Sequence, residues 1–171
     1  KAGLYAFLGR RVIYVGTFSK TLFPSLRLGF IVCPPGIRED LCRVKRFDDL
    51  GSPTVEQAAL AAFMRSRQFE KYLRRTVAEL EHRRAVFMHS LQRHCGERIA
   101  VQQTRAGTHL VVWLQRVRSS QLPRLIELGI GRGLGLYPID LYYRNPPPRP
   151  GLILGYAGLS AEALGRAGEL L

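Results

Sequence analysis

Two short apolar runs bracket a loop that carries one lysine, and this arrangement constrains the chain more than any other feature. Val12-Ile13-Tyr14-Val15 is a β-branched and aromatic run. It reads as a buried strand rather than a helix. Arg27-Leu28-Gly29-Phe30-Ile31-Val32-Cys33 reads as a second buried strand, ended by Pro34-Pro35-Gly36. The loop between them, from Gly16 through Thr17, Phe18, Ser19 and Lys20 to the turn at Pro24, is rich in hydroxyls.

A lysine at the end of a buried strand loses hydration, which favours the neutral, nucleophilic amine. That is the requirement for a Schiff-base lysine. Thr17, Ser19, Thr21 and Ser25 offer hydroxyls, and Arg27 offers a two-pronged donor for a phosphate. A reactive amine beside a phosphate cradle suits a cofactor bearing an aldehyde and a phosphate. Pyridoxal 5′-phosphate (PLP) meets both conditions. The loop is not a Walker A loop, because Gly16 lacks a glycine partner at the required offset before Lys20. On spacing alone the plainer alternative, two exposed loop charges, stays open.

The rest of the chain alternates helices and strands. Residues 37–47 read as a helix with Ile37, Leu41 and Val44 on one face. Thr54 is the expected cap of a second, buried Ala-rich helix, with Gln57 in the capping-box position. From Phe69 to about His94 a long amphipathic helix is predicted. Its apolar stripe is Phe69, Leu73, Val77, Leu80, Phe87 and Leu91. Strands follow at Ile99–Val101, Gly107–Leu114 and Leu152–Tyr156, with an edge-like strand near Pro138. Short helices are expected at Leu122–Leu128 and after a Ser160 cap, and the proline-rich 144–151 segment is a loop. The pattern is α/β throughout.

As a string, Val12 to Phe30 closely resembles the lysine segment of fold-type I PLP-dependent aminotransferases of class I/II. More narrowly, it resembles the aminotransferase-like domain of MocR-type regulators in the GntR family. The likeness continues through Gln57–Ala61, Phe69–Arg75 with Arg83-Arg84, Ala106–Leu114 and Gly151–Ser160, in order. The resemblance implies the C-terminal part of a PLP-dependent transferase fold. Residues 1–68 would be the remnant of the large-domain sheet and 69–171 the small α/β C-terminal domain. It also implies that Lys20 is the catalytic lysine that holds PLP as an aldimine. Arg27, Thr17 and Ser19 would bind the phosphate.

Two departures from the family pattern are visible. The expected last strand, Leu152-Ile153-Leu154-Gly155-Tyr156, holds no arginine to grip a substrate carboxylate; Arg144 and Arg149 lie upstream in the proline loop. The family's ring-binding elements precede the lysine, whereas this chain opens on Lys1, close to its first strand. A C-terminal fragment is therefore expected, one that alone binds PLP poorly and exposes apolar surface. The resemblance further implies an amino acid or amine as effector or substrate, a homodimer in the full-length protein, and cytoplasmic location. DNA binding would belong to a winged-helix domain outside this sequence.

Composition narrows the other classes. Lys and Arg number 26 against 13 Asp and Glu, a net charge of +13, but the arginines are dispersed along predicted helices. That favours solvated helix faces over an independent basic binding module. Apolar residues at 46% argue against disorder. The stretch Leu152–Ala161 is too short and glycine-rich to span a membrane, and no signal peptide opens the chain. Cys33, Cys42 and Cys95 lack paired spacing and read as free thiols. His82, His89, His94 and His109 form no common ligand pattern, so no metal is expected. No G-x-S-x-G elbow supports a serine hydrolase. Phe63, Phe69, Phe87 and Trp113 are expected in the core, and Tyr142-Tyr143-Arg144 in a plain loop.

Overall fold

The computed structural model describes residues 12–103 and 107–171. Residues 1–11 of the expected large-domain remnant, and Ala106 of the Ala106–Leu114 block, lie outside the described residues. The chain forms two compact units, Lys1–Arg74 and Arg75–Leu171, each of which mixes helix and strand.

In the first unit, β1 (Tyr14–Thr17) pairs antiparallel with β2 (Gly29–Val32), Tyr14 facing Val32 and Thr17 facing Gly29. Helices α1 (Pro35–Asp49) and α2 (Thr54–Arg65) follow, and then the first turns of α3 (Gln68–Cys95). The two strands are not buried as expected. Val15 is 70% exposed, and Ile13, Phe30, Ile31 and Val32 are also open. The hairpin is a two-stranded sheet on its own among the described residues, so no further strand pairs with either edge there.

Three further expectations need correction. Helix α1 begins at Pro35, because proline's fixed φ and missing N–H suit the first helical position. Thr54 is the first residue of α2 rather than its cap. Pro53 occupies the cap position, and no side-chain capping bond forms. Helix α2 is largely exposed and contributes no buried residue; its alanines reflect helix propensity rather than cover.

The second unit is a two-layer α/β structure. Its antiparallel sheet has the order β3 (Ile99–Val101), β4 (His109–Leu114), β6 (Gly151–Gly155), β5 (Tyr137–Pro138). Leu110, Val112 and Leu114 alternate inward on β4, as a strand's period of two requires, and meet Leu152 and Leu154 of β6. Phe87, Leu91 and Cys95 of α3, Leu122 at the start of α4 (Leu122–Gly131) and Leu164 of α5 (Ala161–Leu170) cover that face.

The stripe of α3 is therefore buried at Phe87 and Leu91, but Val77 is half exposed. Ser160 caps α5 as expected, its hydroxyl accepting from the Ala163 N–H at 3.2 Å. The edge strand near Pro138 is β5, at the end of the sheet. Trp113 is only partly buried, and its indole N–H donates to Gln102 at 3.1 Å.

Candidate functional site

The loop between β1 and β2 is closed at its base. The Phe18 N–H donates to the Leu28 carbonyl at 3.0 Å, extending the ladder by one rung past Thr17 and Gly29. Beyond that rung the Phe18 carbonyl accepts from the N–H groups of Thr21 (3.1 Å) and Leu22 (2.8 Å). Ser19, Lys20 and Thr21 therefore form one tight turn, with Lys20 at its middle.

The predicted hydroxyls meet beside that turn. The Thr17 hydroxyl accepts from the Ser19 N–H at 3.1 Å and lies 3.1 Å from the Ser19 hydroxyl. It also reaches the Leu28 carbonyl at 3.4 Å. This local side-chain-to-backbone pairing is what threonine and serine contribute at a strand end.

Lys20 and Thr17 line one concavity with Tyr14, Phe30, Met64 and Phe69. Among the described residues, no carboxylate lines it. Lys20 is exposed, so the desolvation expected at the end of a buried strand is not met; the strand that leads into its turn is itself open.

Arg27 stands at the far end of the loop. It caps a short turn of 3-10 helix (Pro24–Leu26) in the left-handed region, φ 51° and ψ 29°, which few non-glycine residues adopt. Arg27 immediately precedes Leu28, the acceptor of both the Phe18 and the Thr17 bonds. It lines a different hollow from Lys20, shared with Lys45, Asp49 and Gln57. There the Lys45 ammonium donates to Asp49, and the Ser52 hydroxyl adds a bond at 3.1 Å. These two bonds, Lys45 foremost, hold the Asp49 carboxyl below its usual value.

Sequence reasoning missed Tyr14 and Phe30 as parts of this site. Phe30 sits directly across from Gly16, and its ring covers the glycine so closely that a β-carbon there would stand 2.4 Å from it. The Phe30 ring is 5.8 Å from that of Tyr14 and 5.3 Å from that of Phe18. A glycine opposite an aromatic was the available signal, but it becomes readable only once the register is known. Phe63 and Phe69, expected in the core, join this same aromatic group.

At the other expected site, β6 carries Leu152 and Leu154 into the core and holds no arginine. Arg149 donates to the Gln115 side chain at 3.2 Å. Among the described residues, no helix is long and apolar enough to cross a membrane.

Comparison with known proteins gives these features a setting. The family model "Aminotransferase class I and II" matches residues 2–126. The chain is 36% identical over 154 residues to the probable rhizopine catabolism regulatory protein MocR of Rhizobium meliloti, covering 90% of this chain and 31% of that protein. It is 30% identical over 152 residues to the uncharacterized HTH-type transcriptional regulator YhdI of Bacillus subtilis (strain 168), covering 89% of this chain and 32% of that one. The chain thus spans about a third of these relatives. Its fold matches that of the multiple substrate aminotransferase from Thermococcus profundus, with a TM-score of 0.83 at 20% identity over 95% of this chain and 40% of the other. With a family match that runs through the lysine loop and over most of its length, the chain belongs to the class I and II aminotransferase family.

Proposed function

We propose that this chain is part of the PLP-binding, aminotransferase-like domain of a MocR/GntR-type transcription regulator. The observation that carries the reading is the closed loop, which gathers the Thr17 and Ser19 hydroxyls beside the Lys20 turn and holds Arg27 next to the rung at its base. The chemistry of these donors fits two ends of PLP. One ammonium is available to condense with an aldehyde, and two hydroxyls and a guanidinium are available to a phosphate dianion. When bound, PLP supplies an aldehyde and an electron-withdrawing ring that acidifies an amino acid's α-proton.

In this reading Lys20 anchors the cofactor through Nζ. Thr17, Ser19 and Arg27 orient it by its phosphate. Were transamination to occur, Lys20 Nζ would carry the proton. The absence of an arginine from β6 favours an amino acid or amine acting as effector over one consumed as substrate. The whole protein would be a cytoplasmic homodimer, with DNA bound by a winged-helix domain elsewhere in it.

The second reading, part of a free-standing aminotransferase, draws on the structural likeness to such enzymes. Incubating the full-length protein, loaded with PLP, with single amino acids separates the two. The regulator reading expects binding with little conversion of PLP to its amine form. Sustained conversion with a keto-acid acceptor would establish the enzyme instead. Arg27→Ala should weaken PLP binding roughly tenfold or more, the scale of one charge-assisted phosphate contact.

A further inference from the structure

The turn that carries Lys20 is gripped at both ends by one face of α3. Phe18 precedes the lysine by two residues, and its ring packs edge-on against that of Phe69 at 6.3 Å. Leu22 follows by two residues, and its carbonyl accepts from the Tyr72 hydroxyl at 3.5 Å. Phe69 and Tyr72 are three apart, so they share a helix face one above the other. The Phe18 ring also meets Phe30 of β2 at 5.3 Å, so it touches both strand and helix. The turn's own two bonds run from the same two residues' neighbourhood: both end on the Phe18 carbonyl, and one begins at the Leu22 N–H.

Lys20 itself is exposed. A long side chain on an open turn reacts at a defined place only if its backbone is fixed, and misplacement by about 1 Å can cost a hundredfold in rate. We propose that Phe69 and Tyr72 are positioning residues for Lys20, acting through Phe18 and Leu22. The proposal rests on the reading of Lys20 as the PLP-anchoring lysine. Helix α3 then has a second task besides packing: its first turns set the lysine, while its later turns build the second unit's core.

The test measures the rate at which Lys20 captures PLP covalently in the full-length protein. Capture is quenched with borohydride and mapped by mass spectrometry. Phe69→Leu should slow capture by roughly tenfold, as expected for a loosened reacting group. Phe69→Tyr, which keeps the ring, should restore it. Binding of pyridoxine 5′-phosphate, which lacks the aldehyde, should change less than about twofold, because that contact does not use the lysine. Phe18→Leu should show the same loss, and the double variant no more than either alone, the signature of two residues acting as one contact. Phe87→Leu, in the other unit's core, controls for general loss of stability. Wild-type capture with equal capture in Phe69→Leu would overturn the positioning proposal and leave the lysine reading standing. A wild type that captures no PLP at Lys20 would overturn both.

Discussion

Gly168 of α5 lies against Ser90 of α3 with no room for a side chain. A β-carbon at 168 would stand 2.2 Å from the Ser90 hydroxyl oxygen and 2.8 Å from its main-chain carbon. The Ser90 hydroxyl in turn donates to the Gly165 carbonyl, pinning the two helices together. The closeness of these helices sets how deeply Leu91 and Leu164, both fully buried, reach into the core.

Two substitutions one turn apart should therefore act in opposite directions. Gly168→Ala should destabilise the second unit by about 1–3 kcal/mol, the usual cost of forcing extra volume into a packed interface. A β-carbon at Gly165 would meet nothing within 4 Å, so Gly165→Ala should cost nothing and gain up to about 1 kcal/mol of helix propensity. Chemical denaturation of the two variants checks both signs.

The two units should differ in protection. Among the described residues of the first unit, Leu28 is the only buried hydrophobic, while Phe47, Leu50 and Val55 are more than three-quarters exposed. Few buried contacts mean low local stability. Hydrogen exchange on this chain alone should be fast in β1 and β2 and slow in β4 and β6. An apolar dye should bind, and Phe47→Glu with Leu50→Glu should reduce the binding. Equal protection in both hairpin and sheet would contradict this.

Much of this architecture was legible beforehand, and what was not has physical reasons. The elements of the second unit could be read because their periodicity and their cover lie in the same stretch of chain. Leu110, Val112 and Leu114 alternate, and α3 and α5 supply the partners. In the hairpin, by contrast, the β-branched run of Val12–Val15 records what the residues would bury against rather than what lies beside them. Within the site, the Thr17–Ser19 cluster follows from sequence neighbours, whereas the packing of Phe18 on Phe69 joins residues 51 apart and depends on tertiary structure.

Cys95 should make the alkaline limb of the stability curve steeper. Burial pushes its thiol above the ordinary value, with the Arg98 charge opposing more weakly. The native state thus keeps its proton at pH values where the unfolded chain has lost it. The contribution is fully present below about pH 8.5, the ordinary thiol value, and is lost as pH rises through the folded value. Cys95→Ala should flatten that limb, measured by thermal melts from pH 7 to 10, even though the cavity lowers stability overall. In the native state a limiting alkylating reagent should modify exposed Cys42 and spare Cys95.

In the proposed reading, Lys20 is the amine that holds PLP. The most direct measurement is borohydride reduction of the full-length protein with PLP, followed by peptide mapping of the phosphopyridoxyl group. The label is expected on Lys20, and should be lost in Lys20→Ala without transfer to Lys45 or Lys71. A label on either of those lysines with Lys20 unmodified, or no label at all at saturating PLP, would contradict it.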